Sequence, residues 1–362
     1  MDMNFRSVAL LSFVLGACQS EQKKLEPKPM QLQGEAPTAA SNDIDEVKLA
    51  AFQPLPEAME SAKNPLTPEK IAVGRQLFFE KRLSKSQEFS CNSCHDLLTY
   101  GVDNKKTSEG HKKQFGARNS PTVYNAAGHF VQFWDGRSPD VEDQAQKPLT
   151  NPLEMACPDK EFVKRVVVSI PGYVEALSKA FPNEKGAKTI EHVGKVIGAF
   201  ERKLVTPSRW DKFLKGDKSA LTAEEKAGFN AFVDTGCIAC HSGTYVGGQS
   251  FQKLGAVKPW PSQSDTGRMM ETKNEADRMI FKVPSLRNVE KTSPYFHDGS
   301  VDSLDQAVKL MATHQLGKEL NDDQTKSIVT WLKTLTGELP MEYIAMPTLP
   351  PSGKNTPKAD LN

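Results

Sequence analysis

Two short stretches of this sequence carry chemistry, Cys91-Asn-Ser-Cys94-His95 and Cys237-Ile-Ala-Cys240-His241. In Cys-x-x-Cys-His two thiols form thioethers to the vinyl groups of a porphyrin and the adjoining imidazole reaches its iron, so the pattern is that of covalent, c-type haem attachment. With 6 Cys and 7 His in 362 residues, roughly 0.002 such matches are expected by chance. A zinc site would need the two Cys pairs close enough to share one ion, whereas they lie 143 residues apart with no further ligand pair near either. A redox dithiol explains neither histidine nor the duplication. The sequence therefore predicts two haems, one on Cys91, Cys94 and His95 and one on Cys237, Cys240 and His241.

Each motif is preceded by a helical pattern. Leu66-Thr-Pro-Glu supplies a Thr67 N-cap, a proline at the first helical position and an acid in the first turn. Thr222 with Glu225 makes a capping box before the second motif. Few Val/Thr alternations and no hairpin series occur, so the expected fold is mainly α, with two tandem cytochrome c-like haem domains. The repetition extends further. Pro121-x-x-x-Asn125-x7-Phe133-Trp134-Asp135-Gly136 matches Pro284-x-x-x-Asn288-x7-Phe296-His297-Asp298-Gly299, and Asp-Gln-Ala follows each. The copies then diverge. Ser303 to Met311 reads as an amphipathic helix that carries a methionine, either an axial thioether ligand or a core residue. The matching position of the first half is Leu149, which cannot bind iron.

Composition bounds the rest. Hydrophobic residues make up 38% and charged residues 25%, with a net charge of +1, which excludes wholesale disorder, a polytopic membrane protein and an overall basic field for nucleic acid. Residues 1–18 read as an export signal whose end, Leu15-Gly16-Ala17-Cys18, resembles a lipobox and would make Cys18 a lipid anchor. Residues 19–58 read as a flexible tether. The haem domains are expected over 59–207 and 208–340, with a tail over 341–362 packing back on the first. Cys157 has no partner thiol and is read as a thiol without function.

The chain resembles the bacterial di-haem cytochrome c peroxidases from about residue 60 to 345. The likeness rests on the two haem motifs, Phe115-Gly-Ala-Arg-Asn119-Ser-Pro-Thr, Gln132-Phe-Trp134-Asp-Gly-Arg, Asn151-Pro-Leu-Glu154-Met, and Leu286-Arg-Asn through Pro294-Tyr-Phe-His297-Asp-Gly to Met311. It implies reduction of hydrogen peroxide to water in the periplasm, with electrons from a small cytochrome c or cupredoxin. His95 and His241 would be proximal ligands, Met311 the distal ligand of a high-potential C-terminal haem, and His111 a detachable distal ligand on the N-terminal one. Trp134 would lie between the haems, with Glu154 as acid/base and Gln144 as the amide near peroxide. Asn119 and the carbonyls of Thr292 and Pro294 would hold calcium, and the family commonly forms homodimers. The alternatives are an electron-transfer di-haem cytochrome and the related oxidase that acts on a protein partner, whose family carries a tyrosine where this chain has Met311.

Overall fold

The computed structural model describes residues 44–186 and 188–362; Cys18 and most of the expected tether lie outside them. Thr67 accepts a hydrogen bond from the Lys70 amide at 3.2 Å and opens α1 (Pro68–Phe78), with proline where no backbone donor is required. α1 crosses α2 (Ile190–Glu201) at Gly74, where a Cβ would lie 1.8 Å from the Val196 carbonyl oxygen. The second half repeats this device. α3 (Ala223–Thr235) opens on the reciprocal bonds of Thr222 and Glu225 at 2.9 and 3.3 Å, and the Thr222 N-cap satisfies an otherwise orphaned helical N–H. It crosses α5 (Asp322–Lys333) at Gly228, whose Cβ would lie 2.2 Å from the Ser327 carbonyl. Between them runs α4 (Leu304–Met311), capped by Ser303 and continuing into a π-helical turn, Ala312–Leu316. The only sheet among the described residues pairs β1 (Phe251–Lys253) antiparallel with β2 (Ile280–Lys282). The fold is mainly α, as the sequence predicts.

Two large apolar clusters form among the described residues, with two smaller ones beside them. The first gathers Phe78, Leu97, Tyr124, Leu149, Val196 and Phe200 around α1 and α2. The second gathers Trp210, Phe229, Phe232, Ile328, Trp331 and Leu332 around α3 and α5. Each large side chain removed from water contributes about 1.5–3 kcal/mol.

The two ends of the described chain pack crosswise. Residues 44–58, expected to belong to the tether, are instead packed: Leu55 lies with Met59, Val205 and Tyr245, and Ile44 and Phe52 join the second cluster, where Phe52 is 3% exposed and meets Trp210, Phe229 and Trp331 edge-on. The backbone there is also satisfied, with Leu55 N donating to Asp211 at 2.8 Å and Gly243 N to the Ala51 carbonyl at 2.8 Å. A few apolar side chains suffice to order this segment because a preformed aromatic cluster receives them. At the other end, residues 345–362 run along the first half. Arg75 donates to the Ala345 carbonyl, Gln76 to Thr348 and Arg82 to Pro350.

The halves meet on a shared polar point. Asn125 and Asn288, matched residues of the repeat, both adopt left-handed backbone at φ 61° and both donate Nδ2 to Thr206 Oγ1 at 2.9 Å. All three side chains are buried, so each bond stands in for water that cannot enter.

Candidate active site

A cavity of about 880 Å³ runs through the seam, and both cysteine pairs and both motif histidines, His95 and His241, line it. Cys91, Cys94, Cys237 and Cys240 are all free of disulfides, which leaves two thiols at each site for thioether formation. Burial raises all four thiols, Cys94 and Cys237 to about 11. Burial also lowers both histidines, His241 to about 4, which favours the neutral imidazole that a ligand must be. His95 Nδ1 lies 3.4 Å from the Gly101 carbonyl, an orientation that leaves Nε2 for a metal. The backbone of Pro121 opposes the lowering at His95 as that of Pro284 does at His241, so the matched prolines of the repeat attend matched histidines. These residues fit two covalently attached haems.

Trp134, Gln144, Glu154 and Met311 line the same cavity, as do Asn119, Thr292 and Pro294. Glu154 sits on the turn after the Lys147–Thr150 helix, where Asn151 Nδ2 donates to its Oε1 at 2.8 Å. Burial raises the Glu154 carboxyl; Arg137 and the Asn151 bond oppose it. Gln144 ends the Val141–Gln144 helix. Met311 ends α4 at the junction with the π-turn and packs beside Trp260, Met279 and Phe281. Its counterpart Leu149 is fully buried in the first cluster.

His111 is placed differently. It is 5% exposed, its amide donates to the Glu154 carbonyl at 2.9 Å, and its Nδ1 is buried without a partner. Gly110 lines the cavity and His111 is not among the lining residues. Lys112 and Lys113, which follow it, both hold φ at 57°, a left-handed backbone that costs about 1–2 kcal/mol per residue.

At the seam Trp134 Nε1 donates to the Asn119 carbonyl at 2.9 Å, and the Asn119 amide donates to the His297 carbonyl at 2.8 Å. Asn119 Nδ2 donates to the Lys105 carbonyl at 3.0 Å.

A family model for di-haem cytochrome c peroxidase matches residues 68–219. The cytochrome c551 peroxidase of Nitrosomonas europaea is 47% identical over 313 residues, covering 86% of this chain and 92% of that protein. The chain belongs to the di-haem cytochrome c peroxidase family. The cytochrome c551 peroxidase of Pseudomonas aeruginosa is 42% identical, over 89% of this chain and 94% of its own. Among solved structures, a MauG-like protein associated with microbial copper homeostasis superposes with a TM-score of 0.70 at 25% identity, covering 81% of this chain and 97% of that one. The peroxidase is thus an oxidoreductase acting on hydrogen peroxide through two c-type haems.

Three features of the peroxidase site escaped the motif reading. Asn151 stood in a quoted motif, but its bond to Glu154 needs the folded turn to be seen. Glu201, at the end of α2, is 4% exposed and lines the cavity; burial and the neighbouring Glu142 raise its carboxyl to about 8, against Arg202. Lys282 and His129, distant in sequence, meet in the cavity wall. Cys157 is buried, with Sγ donating to the Leu83 carbonyl at 3.0 Å.

Proposed function

We propose that this peroxidase reduces hydrogen peroxide to two waters with two electrons and two protons, the electrons coming singly from a reduced small cytochrome c or a cupredoxin. The observation that carries the division of labour is the asymmetry of the halves: Met311 lines the cavity, and its counterpart Leu149 is buried in apolar core. When bound, the haems supply an iron that accepts peroxide in the first half and a one-electron store in the second.

The side chains then have distinct tasks. His95 and His241 would furnish the imidazole ligands of the two haems, and a Met311 thioether would favour a raised reduction potential in the C-terminal half. His111 would be a removable ligand of the first-half haem. Its buried, unpartnered Nδ1 and the strained backbone of Lys112 and Lys113 support a loop with two arrangements. Glu154 takes a proton from the incoming peroxide and returns it to the departing oxygen, while the Gln144 amide orients the peroxide. A carboxyl raised by burial is better suited to passing a proton in both directions than an ordinary glutamate. Trp134 provides an aromatic path across the seam. Asn119 Oδ1 with the Thr292 and Pro294 carbonyls offers hard oxygen ligands to calcium, consistent with their shared cavity wall.

The same reading has the protein exported to the periplasm, tethered through acylated Cys18 and able to form a homodimer. No described helix is long and apolar enough to cross a membrane. Peroxide-dependent oxidation of a reduced cytochrome c by the calcium-loaded holoprotein, present in wild type and lost in Glu154→Gln, tests the proposal; wild-type inactivity would refute it.

A further inference from the structure

Lys282 is a buried cation without an acid. It is 7% exposed at the end of β2, its amide donates to the Trp134 carbonyl at 2.7 Å, and its side chain lines the cavity. Its polar side-chain contact is His129 Nδ1 at 3.3 Å. Among the described residues no carboxylate faces it, and burial alone pushes its amine down to about 8. An isolated ammonium in such a place costs several kcal/mol, a cost that a paired anion offsets.

His129 fixes where that ammonium points. Its ring is held edge-on by Tyr245 at 5.5 Å and packed against Gly248, and its Nε2 is buried with no partner. With Nδ1 accepting one hydrogen of Lys282, the remaining two are left for the cavity. The neighbourhood belongs to the second haem motif. Gly247 lies against His241 and the Pro284 carbonyl, Gly248 against His129, and Lys282 precedes Pro284 by two residues.

We propose that Lys282, oriented by His129, is the charge partner of a propionate carboxylate of the haem seated on His241. The proposal rests on that haem being present, which haem content measures independently. Propionates carry fixed negative charge into a wall of low dielectric, and a cation beside them favours the reduced iron by offsetting charge.

The test is a reductive titration of the holoprotein, with each haem's midpoint potential followed spectroscopically and haem content measured in parallel. Lys282→Met should retain two haems and lower the midpoint of the His241 haem, while Lys282→Arg should leave it near wild type. His129→Leu should move that potential in the same direction and His129→Gln, which keeps an acceptor, should not. An unchanged potential in Lys282→Met with full haem content, or a shift confined to the other haem, would overturn the proposal. A wild-type midpoint that moves with added acetate would show a free anion at Lys282 and also overturn it. Should Lys282→Met fail to mature, Lys282→Gln, which also removes the charge, is read by the same two outcomes.

Discussion

Trp134 and His297 occupy the same position in the two copies of the duplicated motif, and their rings meet edge-on across the seam with centroids 6.5 Å apart. One backbone unit ties them: Asn119 accepts from the Trp134 indole and donates to the His297 carbonyl. Divergence at this position therefore puts an indole on one side of the seam and an imidazole on the other. If the indole carries electrons between the haems, Trp134→Leu should preserve both haem spectra and slow peroxide turnover at least about tenfold, or about 1.4 kcal/mol in the barrier. Undiminished turnover would mean that electrons cross elsewhere.

Glu154→Gln should lower kcat/KM for peroxide by about 10²–10⁴-fold, the usual contribution of a positioned acid/base. The proton-accepting form is the carboxylate, so activity is present above its pKa and falls as pH drops through it. Burial raises that pKa, which sets the acid limb above the ordinary glutamate value of about 4.3. The Asn151 hydrogen bond favours the charged form and opposes the rise. Asn151→Ala should accordingly shift the acid limb of the kcat/KM profile to higher pH; a shift to lower pH would contradict this geometry.

The chain's local features were readable from its residues, and its long-range ones were not. Thr67, Ser303 and the Thr222–Glu225 pair cap helices within a few residues of themselves, so spacing alone announces them. The repeat likewise shows in Asn125 and Asn288, although nothing in their spacing says that both reach Thr206. Phe52 and Lys282 are legible only in the folded chain, because their partners Trp210 and His129 come from distant segments. For Glu154, Gln144 and His111 the residues themselves were bland, and their expected roles came from the family resemblance.

Phe52→Ala should destabilise the holoprotein by about 3–5 kcal/mol, since it empties a position enclosed by three aromatic rings. Equilibrium denaturation measures this directly. A loss below about 1 kcal/mol would show that the segment before residue 59 contributes little to the second core.

Thr206→Val removes the acceptor shared by Asn125 and Asn288 and leaves two buried amide donors short of a partner. At about 1–3 kcal/mol for each unsatisfied group, stability should fall by about 2 kcal/mol or more, and Thr206→Ser should restore it. Equal stability of the valine variant would show that the seam does not depend on this junction.

The most direct test of the central claim, that one half performs the chemistry and the other supplies electrons, is a spectroscopic titration of the calcium-loaded holoprotein from oxidised to half-reduced, followed by peroxide. One electron equivalent should reduce the Met311 haem alone. The other haem should then lose its distal ligand, with only this half-reduced form reacting rapidly with peroxide. Simultaneous reduction of both haems, or two haems that stay six-coordinate and inert to peroxide after half-reduction, would contradict it.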